Sequence, residues 1–318
     1  MSLRSSRWWF GLKLVACAGA LSVLAACGGD VFKPFRPDRA ISFGDEYSYI
    51  SPTSQKYSIN YLDANGPNCD AYRIWNQIVV EEEYGFSFAQ CNRGGRTGNS
   101  VAQLYAQPGA TVAGLTQQID SFLASNTLGE HDLVLMQVGA NDVWQIFNAN
   151  GGQATDAAKA DARARGTALG AQIARVVALG ARVLSIDVIF QGSTPKGRAA
   201  GEGPLNELTD SFNSGFYFSF PANSRTATYA QINSLVRRIN DVNDASRPFK
   251  FGNVFDPACT NTTPTSTAID CTNATLRPDV NPADNSFSFE FADDRFLTPA
   301  VNRLMGNLAR DRAHDHPF

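Results

Sequence analysis

The chain has 318 residues, 43% hydrophobic and 18% charged, so it can bury a substantial core, and neither a low-complexity nor a fibrous class fits. Its formal net charge of -3 excludes the basic electrostatic footprint of a nucleic-acid binder.

The first 26 residues read as an export signal. Arg4, Arg7 and Lys13 form a positive leading region, and Leu14 to Ala26 is apolar but too short for an ordinary membrane span. The segment ends Leu24-Ala25-Ala26-Cys27, which resembles a bacterial lipobox; an ordinary signal peptide cut nearby is the alternative. The resemblance implies acylation of Cys27 as the mature N-terminus, which would hold the protein at a membrane without a transmembrane helix. Because Gly28 and not Asp follows the cysteine, the same resemblance implies an outer-membrane lipoprotein of the cell envelope, facing the periplasm or the surface. Loss of three cations and no acid with the signal would take the charge from -3 to -6.

Cys17 and Cys27 set aside, Cys69, Cys91, Cys259 and Cys271 remain, an even number in an oxidising compartment. Two disulfides are expected, and of three possible connectivities the local pairs Cys69–Cys91 and Cys259–Cys271 are favoured. No C-x-x-C spacing occurs, and two of the three histidines lie in His314-Asp315-His316-Pro317, so neither a metal nor a cofactor is expected.

Residues 27–39, rich in Gly, Pro and charge, read as a tether. A domain over residues 40–312 follows, with 313–318 as a tail. It opens with a strand at Ala40 to Phe43. Ile74, Trp75, Ile78 and Val79 then fall at helical spacing within Ala71 to Glu83, whose three closing glutamates read as a solvated helix end. Phe86 to Gln90 reads as a second strand, Val112 to Leu123 as an amphipathic helix and Asp132 to Val138 as a buried strand ending at Gly139. An alanine-rich helix from about Ala154 to Leu179 stops at Gly180, and a strand runs from Arg182 to Val188. Gln191 to Arg225 reads as long loop with a helix around Leu205 to Phe212; a helix over Tyr229 to Ile239, a last strand at Gly252 to Phe255 and a closing helix around Leu304 to Leu308 complete the domain. Alternating strands and helices predict a three-layer α/β/α sandwich on a mainly parallel sheet.

Ligands of such sheets bind beyond the C-terminal strand ends. Gly44-Asp45-Glu46, Gly94-Gly95 and Gly139-Ala140-Asn141-Asp142 lie just after expected strands, and Asp293-Asp294-Arg295-Phe296-Leu297-Thr298-Pro299 lies near the C-terminus. In type and order they resemble the four sequence blocks of the SGNH, or GDSL, hydrolase family, across nearly the whole domain. The resemblance implies an α/β/α esterase fold in which Gly95 offers an N–H and Asn141 an amide to an oxyanion, beside the N–H of residue 46. On bare physical grounds Gly95 could equally be a turn glycine and Asn141, with Asp142, a helix cap.

Two positions depart from the family. Its nucleophilic serine follows Gly-Asp, where this chain has Glu46; its histidine lies three residues after an aspartate, where Asp293 is followed at that spacing by Phe296. Losing one triad member typically costs on the order of 10⁴ to 10⁶ in turnover. Ser48 lies about 200° around a helix from position 46, His131 precedes a strand, and His314 and His316 sit near the terminus, so a relocated Ser-His pair is not expected. Glu46 and Asp293 could divide acid and base duties, as paired carboxylates do in glycosidases. The preferred expectation is that Glu46 folds into the oxyanion hole, accepts from Asn141 and Gly95, and plugs it. The chain then reads as a non-catalytic domain binding a glycan, lipid or envelope protein, the alternative being an active ester hydrolase with a non-standard nucleophile or base. A purely structural lipoprotein is the reading favoured if Glu46 and Phe296 fill the cleft.

Overall fold

Arg39–Gly44 forms strand β1 in the computed structural model, which describes residues 35–221, 225–240, 251–260, 268–280 and 288–315. Ala40, Ile41 and Phe43 are fully buried, as is Ser42 between them, so the strand is covered on both faces. Parallel strands follow at Ser87–Phe88 (β2), Val101–Leu104 (β3), Asp132–Gln137 (β4), Arg182–Ile186 (β5) and Ala227–Ala230 (β6). They make one six-stranded sheet in the order β2-β3-β1-β4-β5-β6. The core of β4, Leu133 to Met136, is entirely buried. Each such aliphatic chain contributes about 1.5–3 kcal/mol by leaving water.

Helices flank the sheet in two packed groups. One comprises α2 (Val112–Leu123), α3 (Ala140–Ala149), α4 (Asp156–Ala178) and α5 (Pro195–Ser219); the other comprises α1 (Trp75–Ile78), α6 (Ile232–Asn240) and α7 (Pro299–Asp315). Gly166, Gly170 and Gly215 let α4 and α5 meet backbone to backbone, which places the otherwise alanine-rich α4 firmly on its neighbour. The compact unit begins at Arg36. No helix among the described residues is long and apolar enough to cross a membrane.

Several expectations change. The 191–225 segment is chiefly the helix α5, bent at Gly201, because Leu205, Leu208, Phe212 and Phe216 form a buried stripe that the many Gly and Ser residues mask in the sequence. Val101–Leu104 and Ala227–Ala230 are strands too short and too mixed in polarity to stand out. Asn253–Pro257 (β7) lies outside the main sheet and pairs with Phe289–Phe291 (β8) over a second small core that contains Ile59, Ala258, Val280 and Ala292. The glutamates after α1 are engaged: Glu81 meets Arg73 at 2.6 Å, Glu82 meets Arg73, Arg303 and Arg310, and Glu83 meets His314 at 3.5 Å. They fasten α7, which runs through residues expected to be a free tail.

Both favoured disulfides are present, Cys69–Cys91 and Cys259–Cys271, the second inside the small core. Cys27 lies outside the described residues.

At Gly139, which adopts φ +132°, an added Cβ would lie 2.5 Å from the Phe212 ring and 2.7 Å from Val188. Gly139→Ala is therefore expected to cost roughly 2–4 kcal/mol, read as a lower urea midpoint at unchanged slope.

Candidate functional site

Register brings the site loops together. β1 pairs with β4 from Arg39↔Asp132 to Gly44↔Gln137 and with β3 through Ile41↔Gln103 and Ser42↔Leu104. β1 and β4 end level, and beyond β3 the Gln107 N–H donates to the Gly44 carbonyl at 3.0 Å, so the segments that follow emerge side by side. Gly44 has to be glycine here, since a Cβ would stand 2.3 Å from the Gln137 carbonyl oxygen. Gln118 of α2 holds both of its backbone groups, accepting from the Gly44 N–H and donating to its carbonyl, each at 2.9 Å.

Asp45 caps a short 3₁₀ turn, Glu46–Ser48, by accepting from the Tyr47 N–H at 3.0 Å. Burial, with the adjacent Glu46 charge, raises the Asp45 pKa well above the ordinary carboxylate range. The cap turns Glu46 inward, where only 8% of it is exposed. Asn141 Nδ2 donates to Glu46 Oε2 at 2.8 Å and to the Ala110 carbonyl at 3.0 Å, and Asn141 Oδ1 accepts from Arg295 at 2.8 Å. A primary amide has two N–H donors, and both of these are engaged. The next residue, Asp142, accepts from the Val112 N–H at 2.9 Å and so caps α2.

Asp293 has no imidazole to orient. Its Oδ1 accepts from the N–H groups of Arg295 (2.8 Å) and Phe296 (2.6 Å), which makes it the cap of its own turn. Burial pushes its pKa up to about 6, against the pull of those two donors. Phe296 is 5% exposed, with the rings of Tyr47 and Tyr57 at 5.2 and 5.0 Å and the Arg295 guanidinium carbon at 5.3 Å from its centroid. The Tyr47 hydroxyl donates to the Arg295 carbonyl at 3.3 Å, so the turn that carries Glu46 and the one that carries Phe296 are joined.

Asn141 and Glu46 meet as expected, but Gly95 does not join them. It stands in an exposed turn, and its N–H donates to the Asn92 carbonyl at 3.2 Å. The reason is the unexpected β3, which separates β2 from β1 and places the loop after β2 one strand further out. The glycine beyond the strand that does neighbour β1 is Gly109, with φ +77°, followed by the Ala110 carbonyl that Asn141 grips. The Pro108-Gly109 turn was the available signal. Arg295, Tyr47 and Tyr57 carried no signal, since contacts between distant loops leave no local pattern.

Other nucleophiles and bases stand apart. Ser48 is fully buried, its Oγ accepting from Trp75 Nε1 at 3.2 Å. His131, whose carbonyl accepts from the Asp38 N–H, lies at the opposite, N-terminal end of the strands, and His314 lies beside Glu83. His316 is outside the described residues.

The sequence matches no protein-family model and no curated protein. Solved structures with a similar architecture include a member of the lipolytic G-D-S-L family from Veillonella parvula, with TM-score 0.47 and 12% identity over 87% of this chain and 96% of that one. Phospholipase A1 from Streptomyces albidoflavus has TM-score 0.43 and 14% identity over 87% and 98% of the two chains. A catalytic mutant of an acetylxylan esterase from Geobacillus stearothermophilus has TM-score 0.36 and 13% identity over 64% and 80%. The likeness is one of fold.

Asp187, which follows β5, is also raised by burial, to about 7. A carboxyl whose pKa is higher folded than unfolded stabilises the fold fully below the unfolded value and ceases to as pH rises through the folded one. Asp293 and Asp187 should therefore make stability fall between about pH 4 and 7. Asp293→Asn, whose side-chain oxygen still accepts both N–H groups, is expected to reduce that slope and to be more stable than the parent at pH 8 by about 1–3 kcal/mol in urea unfolding.

Proposed function

We propose that this is an SGNH-like esterase domain that no longer hydrolyses esters and acts by binding, anchored to the cell envelope by lipid on Cys27. One observation carries the first part: both amide hydrogens of Asn141, the group the family resemblance assigns to the oxyanion, are bonded to Glu46 and Ala110. A carbonyl oxygen turning into an oxyanion would have to displace a buried carboxylate to reach that donor. Preorganised donors typically supply about 3–4 kcal/mol each to the transition state, and this one is occupied.

The remaining chemistry points the same way. Glu46 offers no hydroxyl to attack a carbonyl, and Phe296 cannot take or return a proton. Among the described residues no histidine accompanies them: the imidazoles of His131 and His314 lie beside Glu130 and Glu83. Asp293, without a base to orient, serves its own turn. The inward carboxylate therefore replaces the catalytic oxyanion with a permanent one. Glu46 and Phe296 are buried while Tyr57 and Arg295 beside them stay partly exposed, and this open rim favours binding over the purely structural role that a filled cleft alone would favour.

Restoring the two lost groups tests this. Wild type is expected to release no p-nitrophenol from p-nitrophenyl acetate above background, and Glu46→Ser/Phe296→His to give measurable turnover. Wild-type turnover that the double variant does not exceed would overturn the reading. The anchor is tested separately: full-length protein should fractionate with membranes and take up labelled palmitate, and Cys27→Ala should do neither.

A further inference from the structure

At the rim of the closed cleft two cations face one indole. Arg295 places its guanidinium carbon 5.9 Å from the Trp144 ring centroid, and Lys196 places its Nζ 5.5 Å from the same centroid. Trp144 is itself fixed by donating to Gln191 Oε1 at 3.0 Å. Lys196 is exposed, and its backbone N–H donates to the Asp294 carbonyl at 2.8 Å, which locks the start of α5 to the Asp293–Phe296 turn. Among the described residues neither cation forms an ion pair, and Arg295 Nε is buried without an acceptor. That Nε–H is closed off from solvent, so what the rim offers an outside acid is the exposed Lys196 and the part of Arg295 that remains open. The nearby carboxylates supply neither cation with a partner: Glu46 is turned to Asn141, and Asp293 to the N–H groups of its own turn.

Beside the cations runs a partly exposed aromatic strip. Tyr57 packs on Phe296 at 5.0 Å and Tyr49 on Tyr57 at 6.0 Å, and the Arg295 guanidinium carbon lies 5.3 Å from the Phe296 centroid. Tyr49 and Tyr57 remain partly open to solvent. Apolar ring faces next to unpaired cations suit a ligand with a flat body and an acid group.

We propose that this rim binds an acidic sugar: the ring rests against Tyr57 and Tyr49 while its carboxylate or sulfate is taken by Arg295 and Lys196. Arg295, partly open to solvent, supplies planar, directional donors, and Lys196 adds a mobile point charge. The assignment rests on the non-catalytic reading, because a ligand held here is bound outside a cleft that Glu46 and Phe296 close.

The test is titration of the folded, signal-free protein with a galacturonate tetramer, its fully methyl-esterified form and a sulfated galactan tetramer, followed by tryptophan fluorescence and calorimetry. The galacturonate or sulfated tetramer should bind saturably, at least about tenfold more tightly than the neutral ester and less tightly as salt rises. The two anionic arms decide which acid is preferred. Lys196→Gln should weaken anion binding about threefold and flatten the salt dependence, and Tyr57→Ala should weaken all three sugars together. Equal binding of acid and ester, or no saturable binding of either anionic tetramer by protein whose circular dichroism is native, overturns the acidic-sugar site. Methanol released from the methyl ester would instead sink the non-catalytic reading and leave the acid-binding result to stand or fall by itself.

Discussion

The side-chain amide of Asn141 joins three loops that arrive separately. Its two N–H groups reach Glu46 after β1 and Ala110 after β3, and its oxygen receives Arg295 from the loop after β8. Every hydrogen-bonding group of the amide but one lone pair is used, so the arrangement resists change at any one corner. Removing Glu46 would free a donor in a buried place, and removing Arg295 would free an acceptor there. Both outcomes cost more than the bond itself is worth in water. The same amide that could stabilise a passing negative charge is here part of the framework, held by a negative charge that does not leave.

The surroundings accommodate this occupant. Asp45, buried and capping the 3₁₀ turn, aims Glu46 inward, and Gln118 fixes the glycine before it. On the other side, the Asp293 turn presents the Phe296 ring, and Tyr47 and Tyr57 pack it. The turn springs from β8 and the small disulfide-containing core, not from the main sheet. Its position relative to β1 is therefore set by side-chain contacts, among them the Tyr47 hydroxyl on the Arg295 carbonyl. Charge inside and aromatic surface outside leave the rim as the part of the site open to a partner, which is why the proposed role is one of binding.

Much of this was legible in the chain itself. Continuous apolar runs marked β1, β4 and β5, helical spacing marked α2, an alanine-rich stretch closing on Gly180 marked α4, and the local cysteine pairs were the favoured disulfides. The Gly44-Asp45-Glu46 and Gly139-Ala140-Asn141-Asp142 segments each announced a loop beyond a strand end. The failures share a cause. β3 has four residues and β6 has four, and neither shows a period long enough to distinguish it from loop. The family resemblance placed Gly95 at the oxyanion, but β3 separates β2 from β1 and carries that turn one strand further out. The helix α5 was hidden by its Gly and Ser residues, whose value lies in close approach to α4 and appears only when α4 is beside it.

The sequence by itself determined which groups are present: a carboxylate after Gly-Asp, a phenylalanine three residues after Asp293, an amide at position 141. Those identities follow from covalent chemistry and need no fold. Tertiary structure alone decided that the carboxylate points at the amide and not at solvent, that Ala110 and not Gly95 meets the amide, and that Arg295 closes the network from a loop 154 positions away from Asn141. Contacts of that kind depend on strand order and on the direction of buried side chains. Neither is encoded in any local pattern, because a hydrogen bond between distant loops exists only once the sheet has brought their ends level.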